Sequence, residues 1–205
     1  MRSDLYPSAY FLGGGDSNYV DYSDDPGWLP SAVALRRFMS PQRSQVLEVG
    51  CATGWFVRAA RSQGLETYGV DVSAWAISHP APEVETFIAE QSILDVGDGD
   101  LFDAVVSWEV LEHVPEQDVS TALRAMCVAT RSGGLQVHRI ALKDAAHDHD
   151  ADGDATHVTI KTRNWWLERF AQVGGLTSRL DVEAEFDAAF TERDWAGRFF
   201  AFDVS

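Results

Sequence analysis

Two carboxylates and an imidazole fall within five residues in the segment Trp108-Glu109-Val110-Leu111-Glu112-His113, and a further imidazole follows at His157. Oxygen and nitrogen donors of this kind suit a divalent cation such as Mg²⁺, so Glu109, Glu112, His113 and His157 form a candidate metal set. His113 and His157 are also candidate catalytic bases, because an imidazole changes charge near neutral pH and can take a proton from a hydroxyl or an amine. The purely structural alternatives are a packing role for His113 and a loop-fixing hydrogen bond for His157.

A second chemical group lies upstream. Val46-Leu47-Glu48-Val49-Gly50-Cys51-Ala52-Thr53-Gly54 is an apolar run with one carboxylate that breaks into a small-residue turn. Small residues at 50, 52 and 54 let backbone N–H groups approach a ligand closely. About seventeen residues beyond Gly54, Tyr68-Gly69-Val70-Asp71 ends another apolar stretch in an acid. In a βαβ unit this acid lies at the carboxyl edge of the sheet, where it accepts ribose hydroxyls. The spacing G-x-A-x-G differs from the dinucleotide pattern G-x-G-x-x-G, which seats a pyrophosphate on a helix N-terminus. Glu48 would repel that anion, so a nucleoside cofactor with a cationic end is expected.

The segment resembles the first motif of class I S-adenosylmethionine-dependent methyltransferases, E/D-x-G-x-G-x-G, with Ala52 at the middle glycine. Phe102-Asp103-Ala104-Val105-Val106-Ser107 is similar to the fourth strand of that family, and Leu111-Glu112-His113-Val114-Pro115 to the loop after it. Ser132-Gly133-Gly134-Leu135 resembles the turn into the fifth strand. The resemblance implies S-adenosyl-L-methionine as cofactor. It places Glu48, Gly50, Cys51, Ala52 and Gly54 in the first cofactor loop, Asp71 on the ribose, Val72 beside the adenine, Gln91 and Ser92 at the adenine edge, and Ser107 at the end of strand four. It also implies an N-terminal aromatic lid, with Tyr19 and Tyr22 as the preferred contacts. The E-x-x-E-H string is similar to the metal site of small-RNA 2′-O-methyltransferases and ubiquinone-pathway O-methyltransferases, where a divalent ion lowers the pKa of the attacking hydroxyl. Methyl transfer to a small molecule is expected, at a hydroxyl oxygen in specialised biosynthesis. The alternatives are an N-methyltransferase of an amine or amino sugar, and a non-catalytic nucleoside-binding protein on the same fold.

These residues need an α/β frame to position them. The patterning predicts strands at 46–50, 66–71, 84–89, 102–107 and 134–140. Helices are predicted at 54–63, 73–79, 117–131 and 162–173, with a helix over 31–38 capped by Ser31. Final strands near 176–183 and 197–204 would close the sheet antiparallel. The expected fold is a Rossmann-like, seven-stranded, mostly parallel sheet with helices on both faces and an antiparallel C-terminal strand. It forms one domain over 1–205, with 1–40 as lid and helix and 41–205 as core. The loop Asp144–Asp154, rich in acids, is expected to border the substrate, and Asp148, Asp150, Asp152 and Gly153 copy only the first half of a calcium loop.

The chain of 205 residues carries 32 acids against 16 bases, a net charge of −16. Such a balance disfavours nucleic acid or an anionic membrane as partner, since both are held by clustered Lys and Arg. No leader or spanning segment is read in it, and Cys51 and Cys127 suggest no disulfide framework. A cytoplasmic enzyme acting on a small-molecule substrate is expected.

Overall fold

Val46, Val49, Val105 and Val106 belong to runs that are apolar on both faces, and such strands are stable only with helices packed on either side. The computed structural model describes residues 6–14, 17, 22, 28–96, 101–143, 154–189 and 197–205. Seven strands form one sheet: β1 (Gln45–Val49), β2 (Glu66–Asp71), β3 (Ile88–Glu90), β4 (Phe102–Trp108), β5 (Thr130–Arg139), β6 (Leu176–Ser178) and β7 (Phe199–Val204). Their order is β3-β2-β1-β4-β5-β7-β6. The first five run parallel, and β7 is antiparallel to both β5 and β6. The strand order reverses beside β1, which pairs with β2 on one edge and β4 on the other, and ligands bind in the crevice that such a switch point opens.

Alternation along the strands divides the core. Leu47, Val49 and Val105 face α5 (Glu116–Ala129) and α6 (Arg163–Val173), through Leu123, Met126, Trp166 and Phe170. Val46, Ala104 and Val106 face α2 (Trp28–Phe38), α3 (Trp55–Ser62) and α7 (Leu180–Ala189), through Leu35, Phe56 and Phe186. The short helices α1 (Ser8–Phe11) and α4 (Ala74–Ser78) meet in a smaller cluster, with Tyr6, Tyr10 and Phe11 against Ala52 and Ala76. Among the described residues no helix is long and apolar enough to cross a membrane.

Several expected boundaries move. Helix α2 begins at Trp28, so Ser31 is a buried residue inside it rather than its cap. Strand β3 is confined to Ile88–Glu90, because residues 84–87 form turns. The predicted strand at 176–183 ends at Ser178 and gives way to α7, which sequence reading missed. Val182 and Phe186 stand four apart there and bury one helical stripe on the sheet, a period that an extended strand cannot present to one face. The two cysteines are unpaired.

Candidate active site

Asp71 ends β2 beside the turn that leaves β1. Its Oδ2 accepts from the Ala52 amide at 2.8 Å and its Oδ1 from the Ser73 amide at 2.8 Å. Burial raises its pKa, and the amides of Ser73, Ala52 and Val72 work against that rise. The turn is tight: the amides of Gly50 and Cys51 both donate to the Val70 carbonyl, at 2.7 and 3.1 Å. Gly50 has φ of +74°, and a Cβ there would lie 2.4 Å from Val110 Cγ2, so only glycine fits this crossing of β1 and the loop after β4.

A cleft opens over this edge, at the place where open α/β folds bind their ligands. Gly50, Ala52, Asp71, Val72 and Gln91 line one side, and Trp108, Glu109, Val110 and His113 the other. Tyr6, Tyr10, Phe11 and Tyr22 roof it. The roof is fastened at Ser73, whose hydroxyl donates to the Tyr6 carbonyl at 2.7 Å, and at Trp75, which stacks on Phe11 with centroids 5.1 Å apart. Burial, together with Asp71, Asp154 and Glu112, pushes the Tyr6 phenol well above its ordinary pKa, so the ring acts as a neutral wall.

Behind the cleft wall at His113, Glu112, His113 and His157 converge, with one donor atom of each within 4.8 Å of the others. Glu112 Oε1 accepts from the Ala141 amide at 3.0 Å, and the buried carboxyl also lies against that of Glu109. Burial and the neighbouring Glu109 carboxylate drive Glu112 well above the usual carboxylate range. Burial and His157 hold His113 down to about 4, so the imidazole is neutral at physiological pH. Glu109 borders this convergence, its carboxylate interacting with the side chains of Glu112 and His157. Its Oε1 receives the Arg139 Nε–H at 2.8 Å, and although burial would raise its pKa, Arg139 and other neighbours bring it below the ordinary value. Of the four residues expected as metal ligands, Glu112, His113 and His157 offer donor atoms within 4.8 Å of one another, and Glu109 lies beside them in an ion pair with Arg139.

The other residues read from sequence divide between the cleft and the interior. Gly50, Ala52, Asp71, Val72, Gln91 and Tyr22 line the cleft. Glu48 faces α3 on the same side of β1 as Val46, where burial raises its pKa well above normal and only the Val57 amide favours its charge. Cys51 turns toward β2: a Cβ added at Gly69 would lie 2.6 Å from Cys51 Cβ. Gly54 caps α3 and packs against Val84 and Ile88. Ser92 caps the turn Ile93–Asp95. Ser107 lies inside the sheet, with Oγ 2.8 Å from His138 Nδ1. Tyr19 and the loop residues 144–153 lie outside the described residues. Sequence reading missed Tyr6 and Tyr10 as cleft residues, although their spacing of four is the signal for one face of a helical turn. It also missed Thr156 and Arg139, and named Asp154 only as the last acid of the loop expected to border the substrate; Asp154 and Thr156 carry a local sign, the Asp-x-Thr pattern of a side-chain-capped turn.

Sheet order, switch-point crevice and edge acid define a Rossmann-like domain built for a nucleoside cofactor. The methyltransferase domain family matches residues 29–192, and the chain belongs to that family as a class I S-adenosylmethionine-dependent methyltransferase. A ubiquinone biosynthesis O-methyltransferase from Alkalilimnicola ehrlichii is 33% identical over 97 residues, covering 44% of this chain and 38% of that protein. The match thus spans well under half of the curated relative. Among solved structures, a methyltransferase from Haloferax volcanii complexed with the activator Trm112 superposes with a TM-score of 0.66 at 18% identity, over 88% of this chain and 91% of that one. An amino pentose methyltransferase from Micromonospora echinaspora with bound S-adenosylmethionine gives 0.65 at 18% identity, over 87% and 92%. At such identities the likeness concerns the fold.

Proposed function

We propose that the protein methylates a hydroxyl oxygen of a small molecule, with a divalent cation held by Glu112, His113 and His157 at the acceptor end of the cleft. The observation that carries this reading is the convergence of those three donors around His113, which lines the cleft, with a buried Glu112 carboxyl among them. A carboxyl buried so deeply is disfavoured as an anion, and a cation beside it would restore the charged form. Two imidazoles and one carboxylate fit such an ion. Held there, a divalent ion supplies Lewis acidity toward a substrate hydroxyl. Glu109 is assigned differently, as the partner of Arg139 that fixes the end of β4 to the end of β5.

The cleft edge also suits the cofactor, which supplies a methyl carbon on a sulfonium. Asp71 has lone pairs for ribose hydroxyls beyond those used by Ala52 and Ser73, Gln91 stands at the same edge, and Val72 and Ile93 offer apolar faces to a base. Tyr6, Tyr10 and Phe11 close the cleft and exclude water, so the roof is assigned the role of a lid. The small acceptor is inferred from the roofed cleft and from a lining whose titratable groups are acids and His113, with no described cation on it.

That acidic lining favours a second reading, an amine acceptor drawn by Glu109 and Asp71. Purified protein with S-adenosylmethionine and paired hydroxyl and amine acceptors, with and without EDTA, separates the two by mass spectrometry. EDTA-sensitive methylation of hydroxyl acceptors supports the proposal; EDTA-insensitive methylation of amines alone refutes it.

A further inference from the structure

His113 is gripped from one side by a segment 43 residues away in sequence, and that grip determines which of its nitrogens is free. Nδ1 lies 3.2 Å from the Thr156 carbonyl oxygen and 2.9 Å from the Thr156 hydroxyl oxygen. A carbonyl oxygen only accepts, so the hydrogen must sit on Nδ1. The Thr156 hydroxyl has one hydrogen and lies 2.5 Å from Asp154 Oδ1, a carboxylate oxygen that also only accepts. The polarity of the chain is thereby set: His113 Nδ1–H donates to Thr156, and Thr156 Oγ1–H donates to Asp154. Asp154 is held in turn, by the Thr156 amide at 2.9 Å on Oδ1 and by the Tyr10 hydroxyl at 3.4 Å on Oδ2. It is almost wholly buried, where such chains polarise one another.

We propose that Asp154 and Thr156 are positioning residues that lock His113 in the tautomer protonated on Nδ1, so that Nε2 is the ring nitrogen left with a free lone pair. The proposal rests on the assignment of His113 to the acceptor end of the site, and it adds that a hydroxyl and a carboxylate outside the E-x-x-E-H segment make that histidine usable. A lone pair on Nε2 is what either a cation or an acceptor proton requires. The roof takes part through Tyr10, which reaches the second oxygen of Asp154.

The test is the ¹⁵N spectrum of protein labelled at histidine, recorded at pH 7, with the His113 signals identified by their loss in His113→Gln. The expected result is a neutral ring with a protonated Nδ1 and a bare Nε2. Thr156→Val, which removes the hydroxyl but keeps the shape, should move the Nδ1 signal and lower kcat roughly 10- to 100-fold while leaving KM for S-adenosylmethionine unchanged; Thr156→Ser should restore both. A wild-type His113 protonated on Nε2 overturns the proposal, as does a Thr156→Val protein with both signals and kcat unchanged. A protein inactive on every acceptor but carrying the Nδ1–H tautomer supports the positioning pair and sinks the acceptor assignment, so the two failures are distinct.

Discussion

Replacing Asp71 by Asn tests the cofactor edge most directly, because the carboxylate does two things with one group. Both of its oxygens accept backbone amides, from Ala52 and Ser73, each at 2.8 Å. An amide side chain has one acceptor and one NH₂, so in either orientation one backbone N–H faces a donor and loses its partner. A hydrogen bond to a charged acceptor contributes about 1.5–3 kcal/mol. Against this, Asn removes a buried charge, whose cost shows in the raised pKa of Asp71. The net loss of stability should be about 1–3 kcal/mol, which for a domain of this size lowers Tm by roughly 2–12 °C. The cofactor would lose a second charge-assisted contact, that to the ribose, again about 1.5–3 kcal/mol, or roughly a 10- to 150-fold rise in Kd. Calorimetric titration with S-adenosylmethionine and S-adenosylhomocysteine measures the second effect, and a thermal melt without ligand measures the first. An Asp71→Asn protein with Kd within threefold of wild type would refute the ribose role, and an unchanged Tm would refute the loop-holding role.

Gly50→Ala should weaken cofactor binding at least tenfold and lower Tm, because the new methyl meets Val110 Cγ2 at 2.4 Å and φ is +74°. Gly64→Ala, with a similar φ of +77° and nothing within 4 Å, should cost only about 1–2 kcal/mol and spare binding; equal effects at the two positions would show that the crossing at Val110 is unimportant. His138, wholly buried between Ser107 and Gln136, has its pKa lowered by burial to about 3 from an ordinary 6.5. The unfolded chain therefore binds a proton that the folded chain refuses, so the stability present above pH 6.5 is lost as pH falls toward 3. Between pH 7 and 5 this group alone should remove about 2 kcal/mol. Urea denaturation at both pH values should show that difference shrink by this amount in His138→Gln, and an identical pH dependence would contradict it. Phe186→Ala, which empties a buried position between Trp108 and Phe199, should cost about 3–5 kcal/mol in the same assay; a loss below about 1 kcal/mol would mean that α7 does not pack as described.

Local chemistry made a large part of this protein legible before any coordinates. The turn after β1 could be read because glycine and small residues at 50, 52 and 54 are a local demand of backbone geometry. Asp71 and the E-x-x-E-H segment could be read because a strand that ends in an acid, or two acids and an imidazole within five residues, need no partner from elsewhere to be noticed. The order of strands and helices followed from periodicity, which failed where two periods were close in cost, as at Leu180–Ala189.

Tertiary structure alone decided how those residues are used. Side-chain direction alternates along a strand, so a shift of one position separates a cleft residue from an interior one; Ser107 turns to His138 and Glu48 to α3, although both belong to motif segments. Pairing across the fold decided the rest. Arg139 comes from the neighbouring strand end and pairs with Glu109, while His157, Thr156 and Asp154 reach His113 over more than forty residues. No local pattern encodes such meetings, because they depend on register and on the path of the chain between strands. The sequence determined which chemical groups the sheet edge would carry, and the packing of distant segments determined which of them share a site, since short-range geometry is written in neighbouring residues and long-range contact is not.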